Sequence, residues 1–364
     1  MKRVALLFAN RTFGNRLARA VEIATEKYVV DVFAGIPVRH RIALVRRGEY
    51  DLLVADEPIG NGPFAVLLAR ALDVPVALVL RGWADLMNAH GEHGWVQDRS
   101  IAARTRCCVR AADALFVLSD VTRERLADRY TVGRALTVGR PIDVPYYASG
   151  TARSAADERV ALTVTNLRYE AKFEGIRTIL EGLAPIFEHN ESFRYQVAGA
   201  GRYLPALRSF VARYPYSERV EVLGWCEDIP ELLSGADLFV YVSYLDSIST
   251  AVLEAQAAGL PVVAGDAVGV PTAVGNAGHL CTPVPASVEA AVERVVTDDA
   301  YRETLARRAT ARMNAYNERA ARQYVAAWNA LIGGGNPSER DLPALDRDFG
   351  SSLRSTDAET PARR

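Results

Sequence analysis

Short apolar runs alternate with amphipathic segments along most of the chain. The runs cover residues 4–9, 28–33, 50–55, 76–80, 114–118, 136–138 and 160–164, and polar or turn-forming residues bound each of them. Continuous apolar runs of this kind are typical of strands that are buried on both faces of a parallel sheet. Helix-like stretches at 17–24, 64–72 and 122–130 lie between the runs. This alternation predicts an α/β protein with doubly wound parallel sheets.

A long amphipathic helix is predicted near the end of the chain. Its apolar residues recur in steps of three and four, and they are Tyr301, Leu305, Ala309, Met313, Tyr316, Ala320, Tyr324, Trp328 and Leu331. Such spacing places them on one face of a single helix. The segment 333–364 begins with three glycines and is rich in Ser, Asp, Arg and Pro, so we expect a flexible tail there.

Composition is that of an ordinary globular protein. The 364 residues are 49% hydrophobic and 24% charged, and this length accommodates two domains. No apolar stretch approaches the roughly 20 residues that span a bilayer, and the apolar run at the start is too short for a signal peptide. Four cysteines show no metal-ligand spacing and fit a reducing compartment. We therefore expect a cytoplasmic protein with no obligatory metal.

Charge is shared unevenly between the two halves. Residues 1–150 carry a formal net charge of +5, and the remaining residues carry a formal net charge of −6. A basic N-terminal half favours anionic partners, such as a lipid phosphate or the inner face of a membrane. Ordinary fluctuation over solvated surfaces explains the same split equally well, so both interpretations stay open. Nothing in the sequence points to nucleic acid.

The most distinctive stretch is residues 245–263. Asp246 lies in a short polar loop, and Ser249 and Thr250 are both good helix N-cap types. A helix of small residues with Glu254 follows, and Gly259 is expected to end it. A helix N-terminus beside small polar residues attracts anions, because its free N–H groups and its dipole both favour negative charge. Two carboxylates, eight positions apart, therefore frame a candidate anion site.

This order of acid, seven residues, Glu, helix and Gly-x-Pro-Val-Val resembles the retaining, nucleotide-sugar-dependent glycosyltransferases of family 4. The resemblance implies the GT-B fold, in which two Rossmann-like doubly wound domains face each other across a cleft. It implies an acceptor-binding domain at 1–148 and a nucleotide-sugar-binding domain at 149–300. A helix at 301–332 would pack back on the N-terminal domain. The donor would be a nucleotide-diphosphate sugar of UDP, GDP or ADP, with no cofactor bound permanently.

The resemblance also assigns roles to charged residues. Lys172 matches a lysine that neutralises the donor diphosphate, whereas Asn166 stands where an arginine is expected and Arg168 follows two positions later. Glu254 would accept hydrogen bonds from the ribose hydroxyls, and Asp246 would accept them from the donor sugar. The family usually has Glu at that first position, followed by glycines.

Several loop residues complete the implied donor site. The backbone of Ser247, Ile248, Ser249 and Thr250 would cradle phosphate oxygens. The pair Gly199 and Gly201 ends an apolar run and would lie beside the nucleotide. Gly224 and Trp225 resemble the segment that receives the base, and Trp225 either stacks on that base or belongs to the core.

Two candidates lie in the N-terminal half. Gly14 falls in a predicted polar loop at 10–16, where the family contacts the acceptor or the diphosphate. Arg81 ends a strand where the family usually has His, and its guanidinium suits a phosphate. No nucleophile–base motif or P-loop accompanies them.

The predicted function is therefore retaining transfer of a sugar to a hydroxyl of a glycan, glycolipid or lipid-linked saccharide. Two alternatives remain. One is another GT-B reaction, such as epimerisation or glycan phosphorolysis, and the other is a non-catalytic sugar-binding protein.

Overall fold

A computed structural model describes residues 1–9, 11–36, 42–43, 45, 47–56, 60–82, 99–151, 158–346 and 353–354. Within these ranges the chain forms two units. The first comprises Met1–Ile142 together with residues 315–346, and the second comprises Asp143–Asn314 together with residues 353–354. The predicted roles of the two domains, and the boundaries at 148 and 300, stay predictions.

The first unit is built on a six-stranded sheet. Its strands are β1 (Lys2–Leu7), β2 (Tyr28–Val32), β3 (Leu52–Asp56), β4 (Val76–Leu80), β5 (Ala114–Val117) and β6 (Ala135–Thr137). They lie in the order β2-β1-β3-β4-β5-β6, and every pair is parallel. The helices are α1 (Arg11–Ala24), α2 (Gly62–Leu72), α3 (Arg99–Ala111) and α4 (Asp120–Arg129). The strands β3, β4 and β5 are buried throughout, as continuous apolar runs predict.

The second unit repeats this architecture. Its strands are β7 (Arg159–Val164), β8 (Phe193–Ala198), β9 (Val220–Gly224), β10 (Leu238–Tyr241), β11 (Val262–Gly265), β12 (His279–Cys281) and the two-residue β13 (Leu353–Arg354). The order is β13-β12-β11-β10-β7-β8-β9, again all parallel. The helices are α5 (Val144–Tyr147), α6 (Glu170–His189), α7 (Leu204–Val211), α8 (Ile229–Ser234), α9 (Thr250–Ala257), α10 (Val270–Val274) and α11 (Pro285–Thr297). The prediction of two doubly wound, Rossmann-like sheets is confirmed.

The predicted long helix is α12 (Asp299–Ile332). All nine residues of its predicted apolar face are buried, with exposed fractions of 8% or less. Its second half packs in the first unit, where Tyr324 meets Phe116 edge-on and Trp328 meets Tyr28 in the same way. In the described part of the chain, no helix is both long and apolar enough to cross a membrane.

Two predicted loops are helical. The predicted loop at 10–16 is wrong from Arg11 onward, because α1 begins at that residue. The sequence also predicts a loop at 165–175 and a helix from residue 176, but the helix begins six residues earlier, at Glu170, with Tyr169 as its N-cap. In both cases a glycine inside the helix, Gly14 or Gly175, suggested a loop. Both glycines instead allow close packing, since an added Cβ would lie 2.8 Å from the Val32 side chain or 2.1 Å from the Val242 carbonyl oxygen.

The segment after the long helix packs against the first unit as far as residue 346. The Gln323 amide donates to the Pro343 carbonyl at 2.9 Å, and Arg319 donates to the Leu345 carbonyl at 3.1 Å. The prediction of a flexible tail from residue 333 is therefore wrong for this part. A run poor in apolar residues is anchored here by polar contacts to its carbonyl groups, which composition does not reveal.

His279 is a buried, uncharged histidine in the second unit. Its Nδ1 lies 2.7 Å from the Tyr301 hydroxyl, and within the described residues its Nε2 has no hydrogen-bond partner. Burial, with a smaller contribution from the charge of Arg294, lowers its pKa. Below an ordinary histidine pKa of about 6.5 the unfolded chain therefore binds a proton that the folded chain does not, and stability falls as pH falls.

We expect His279→Asn to reduce this sensitivity to acid, since the Asn amide can keep a hydrogen bond to Tyr301 without titrating. The fall in melting temperature between about pH 7.5 and about pH 5.5 should be smaller in the variant than in the wild type. His189→Asn, at an exposed histidine, is the matched control and should leave the difference unchanged. Equal falls in wild type and His279→Asn would refute the prediction.

Candidate functional site

The predicted donor residues gather at one edge of the sheet in the second unit. Strands β10, β7, β8 and β9 are neighbours and parallel, so the loops that follow them leave the same edge. These four loops contain Asp246, Asn166 with Arg168, Gly199 with Gly201, and Trp225. Open α/β sheets bind ligands at the carboxyl ends of their strands.

Lys172 and Asp246 form a buried ion pair. The Lys172 Nζ lies 2.6 Å from Asp246 Oδ2, and the two side chains are 4% and 17% exposed. The lysine is on the first turn of α6, where the helix dipole disfavours a cation. A surface position for Lys172 is therefore excluded, and the carboxylate compensates for its charge.

Tyr241, the last residue of β10, joins this pair. Its hydroxyl accepts a hydrogen bond from Lys172 Nζ at 2.6 Å and donates one to Asp246 Oδ2 at 2.7 Å. Burial of Lys172 opposes its charge, but the charges and hydrogen bonds of Asp246 and Tyr241 outweigh burial and raise its pKa. Burial, followed by the charge of Asp246, raises the pKa of Tyr241. At neutral pH the cluster therefore holds an ammonium group and a neutral phenol.

Two close backbone contacts place the loop that contains Asp246. At Gly175 the start of α6 approaches the end of β10 so closely that only glycine fits against the Val242 carbonyl. On the other side, the Gly269 N–H donates to the Asp246 carbonyl at 2.8 Å, and a Cβ on Gly269 would overlap the Ser247 carbonyl. The backbone around Asp246 is thus held from both sides.

Helix α9 begins and ends as its sequence predicts. Ser249 is the N-cap, and its Oγ accepts from the Val252 N–H at 3.4 Å. Gly259 has a φ of 79°, and the bonds from the Gly259 and Leu260 N–H groups to the Gln256 and Ala255 carbonyls form a Schellman motif.

The residues before α9 have little side chain exposed. Ser247, Ile248 and Ser249 are all buried, whereas Thr250 is half-buried as the first residue of the helix. What this segment can offer a ligand is therefore chiefly backbone, including the N–H groups that the first turn of a helix leaves without intrahelical partners.

Glu254 is half-buried on α9 and has a partner that the sequence did not indicate. The buried Tyr147, at the end of α5, donates to Glu254 Oε1 at 2.5 Å. The composition of residues 145–154, which include Tyr147, predicts a linker between two domains. The segment is instead helical at its start and fixes one oxygen of the predicted ribose-binding carboxylate.

Gly199 and Gly201 pack against the loop that follows β7. Their φ angles are 154° and 156°, and added Cβ atoms would lie 1.8 Å from the Thr165 carbonyl oxygen and 2.2 Å from the Leu167 carbonyl carbon. The glycines are therefore required for contact within the protein itself. Through that contact they hold residues 166–168 at the edge of the sheet.

Asn166, Arg168 and Trp225 are exposed at this edge. Arg168 makes no hydrogen bond or ion pair among the described residues, so its guanidinium is available to a ligand. Trp225 is 76% exposed, which excludes the core interpretation and leaves the stacking one. Gly224, before it, has a φ of 76° and accepts a hydrogen bond from the Gly199 N–H at 2.7 Å.

Gly14 and Arg81 lie in the first unit and are not part of this cluster. Gly14 is buried in the first turn of α1. Arg81 donates to Asp56 Oδ2 at 3.0 Å, and its guanidinium lies 5.9 Å from the centre of the Phe13 ring. Asp56 is fully buried, and its other oxygen accepts from the Ala9 N–H at 2.8 Å. Arg81 therefore compensates the charge of a buried carboxylate.

Tyr241, Tyr147 and Asp56 are the polar residues that sequence reasoning missed. Tyr241 and Asp56 each end a buried strand, and a polar side chain at that position is a signal for the ligand-binding edge of a parallel sheet. Tyr147 gave no such signal. Among the described residues, no group of three or more His, Cys, Asp or Glu side chains is arranged to hold a metal ion.

Comparison with known families gives the context for this site. Residues 158–298, which contain all the predicted donor residues above, match the family model described as glycosyl transferases group 1. Over these residues, which are less than half of its length, the chain is similar to the group 1 glycosyltransferases.

Curated relatives agree with this similarity. Glycogen synthase of Mycobacterium tuberculosis is 27% identical over 260 residues, which cover 68% of this chain and 61% of that protein. O-antigen chain mannosyltransferase B of Escherichia coli is 31% identical over 116 residues, or 31% of this chain and 30% of that protein. The matches thus cover less than two thirds of these glycosyltransferases.

Solved structures share the GT-B fold over nearly the whole chain. Sucrose-phosphate synthase from Thermosynechococcus elongatus has a TM-score of 0.69 at 16% identity, covering 92% of this chain and 100% of that one. Anabaena HepE, solved in complex with UDP, has a TM-score of 0.66 at 18% identity, covering 90% and 98%.

Proposed function

We propose that this protein is a glycosyltransferase that moves a sugar from a nucleoside-diphosphate sugar to a hydroxyl of a carbohydrate or lipid-linked acceptor, with retention of the anomeric configuration. The observation that supports it most is the buried ion pair of Lys172 and Asp246 beside the N-terminus of α9. A preorganised cation next to free backbone N–H groups suits a departing diphosphate. The complexes of HepE with UDP, and with UDP and glucose, agree with such a donor.

In the proposal, each donor group meets a specific part of the site. Lys172 and Arg168 face the diphosphate with the backbone N–H groups of residues 247–250. Glu254 accepts from the ribose hydroxyls, and Trp225 stacks on the base. Asp246 accepts from a hydroxyl of the donor sugar.

The proposed chemistry is mainly electrostatic. The bond between the sugar C1 and the diphosphate oxygen breaks, and the acceptor oxygen forms the new bond to C1. The acceptor proton passes to the departing phosphate, so no separate base is needed. Lys172 stabilises the charge that develops on that phosphate, which is where a fixed cation lowers the barrier most.

The first unit would bind the acceptor. The guanidinium of Arg81, which pairs with Asp56, is of the chemical type that suits a phosphate. Its assignment to a phosphate is part of the proposal, and so are contacts between the basic N-terminal half and an anionic membrane surface.

We expect one of UDP-glucose, GDP-mannose and ADP-glucose, or its nucleoside diphosphate, to raise the melting temperature, since a ligand at 100 times its Kd stabilises by about 2.7 kcal/mol. The product made from that sugar should keep the donor's anomeric configuration, as read from its proton coupling in NMR. An inverted product would refute retention. Stabilisation without any transfer to glycan or lipid-linked acceptors would favour the sugar-binding alternative.

A further inference from the structure

The side chain of Tyr241 is buried and held in place at the end of β10. It ends β10, it is 3% exposed, and its ring stacks on Phe239 with 5.9 Å between ring centres and 13° between planes. Stacking and strand pairing with Ala264 fix the ring, so its hydroxyl has one location. That location is within hydrogen-bond distance of both members of the Lys172–Asp246 pair.

We propose that Tyr241 is a positioning residue for sugar transfer, which holds the Asp246 carboxylate in the one rotation that presents Oδ1 to the donor sugar. The inference rests on the proposed function, and it adds the residue that makes the short Asp246 side chain effective. Neither Lys172 nor the backbone of the loop fixes the rotation of the carboxylate alone.

The numbers of hydrogen-bond donors and acceptors in the cluster support this role for Tyr241. A lysine ammonium has three N–H donors and no acceptor, and a phenol has one O–H donor. Lys172 uses two donors, to Tyr241 and to Asp246, and Tyr241 uses its single proton on Asp246. Both bonds to the carboxylate reach Oδ2, while Oδ1 has no hydrogen-bond partner in the described part of the chain. The cluster therefore offers a ligand one N–H and one carboxylate oxygen.

The remaining N–H of Lys172 and the remaining oxygen of Asp246 suit the two parts of a sugar phosphate, its phosphate group and its hydroxyl groups. An ammonium N–H suits a phosphate oxygen, and a carboxylate oxygen suits a sugar hydroxyl. Of the two side chains the carboxylate is the more exposed, at 17% against 4%, which suits its contact with the larger sugar.

Tyr241 matters because it restricts the rotation of the Asp246 carboxylate. The second side-chain torsion of Asp joins sp³ and sp² carbons and is broad, so one contact leaves the plane of the carboxylate poorly defined. Two donors that reach the same oxygen from different residues restrict that torsion. A buried ion pair also needs such additional hydrogen bonds to offset the loss of hydration.

Tyr241→Phe tests the inference, because it removes one oxygen atom and keeps the ring. The probes are UDP-glucose, GDP-mannose and ADP-glucose as donors, with UDP, GDP and ADP as sugar-free ligands. We expect kcat for transfer to fall about 10- to 100-fold, the range for a hydrogen bond to a charged group. The Kd of the nucleoside diphosphate measured by calorimetry should change less than about threefold, because that ligand lacks the sugar that Asp246 contacts.

A double-mutant cycle then tests whether Tyr241 acts through Asp246. Asp246→Asn should lower kcat on its own, and Tyr241→Phe with Asp246→Asn should be no worse, since the two residues form one unit. Additive losses would overturn the inference. Tyr241→Met, which fills similar space without a hydroxyl, replaces Tyr241→Phe if that variant does not fold.

Tyr195→Phe is the matched control. Tyr195 is fully buried in the same sheet, and its hydroxyl lies 2.7 Å from Thr163 Oγ1, so the variant loses a comparable buried hydroxyl. It should lower the melting temperature without changing kcat. If wild type transfers sugar and Tyr241→Phe transfers it equally well, the role of Tyr241 is wrong and the proposed function stands. If wild type transfers no sugar from any of the three donors, both the role of Tyr241 and the proposed function are wrong.

Discussion

Replacing Lys172 with Met should lower kcat for sugar transfer by about 100- to 1,000-fold, which is the usual cost of removing a preorganised group that stabilises developing charge. Met has similar length and fits an apolar environment, so the change removes the charge rather than the side chain. In the wild type Lys172 is buried, and its ammonium group lies 2.6 Å from both Tyr241 and Asp246. Water cannot readily replace a cation at such a position.

The same variant should also lose the thermal stabilisation by nucleoside diphosphate, because the diphosphate is the proposed partner of Lys172. Lys27→Met is the control, since Lys27 is exposed in a turn of the first unit. It should leave both kcat and ligand stabilisation within about twofold of wild type. A Lys172→Met variant with wild-type kcat would remove Lys172 from the proposed mechanism.

The sequence predicted the sheets well, because their strands are buried on both faces and read as continuous apolar runs. Strand β4, predicted at 76–80, has those bounds in the structure. The long terminal helix was predicted with its complete buried face for the same reason. Buried segments are rich in apolar residues, so these elements can be predicted without knowing their tertiary contacts.

Glycines were the main source of error. Gly14 and Gly175 suggested loops but lie inside helices, since each makes room for a neighbouring element. Gly199 and Gly201 suggested an approach to a ligand and are explained by the backbone of residues 165–167. A missing side chain gives the same sequence signal whether the neighbour is a substrate or the protein itself.

The sequence suggests the charged residues of the proposed donor site, but it does not suggest the polar residues that surround them in the structure. Lys172, Asp246 and Glu254 follow from a local motif and its resemblance to a family. Their partners Tyr241 and Tyr147 come from other elements, and the Tyr147–Glu254 bond joins residues 107 positions apart. Such contacts depend on packing, which hydrophobic periodicity does not specify.

Gly175→Ala should cost both stability and activity, because its Cβ would lie 2.1 Å from the Val242 carbonyl oxygen. Relief requires the start of α6 to move away from the end of β10, and that movement separates Lys172 from Tyr241 and Asp246. Overpacking of this kind destabilises by about 1–3 kcal/mol. A displacement of about 1 Å in a catalytic group can cost about 100-fold in rate, and we expect kcat to fall by that order.

Gly182→Ala, on the same helix, separates the two effects. A Cβ at Gly182 would lie 2.6 Å from the Pro285 carbonyl oxygen, so this variant also overpacks a helix contact. Gly182 is ten residues beyond Lys172, nearly three turns along the helix, and its contact is with α11 rather than β10. We expect a comparable fall in melting temperature with kcat within about twofold of wild type, because distant sites act independently. Equal losses of kcat in both variants would mean that general loosening of α6, and not the spacing between Gly175 and Val242, controls the position of Lys172.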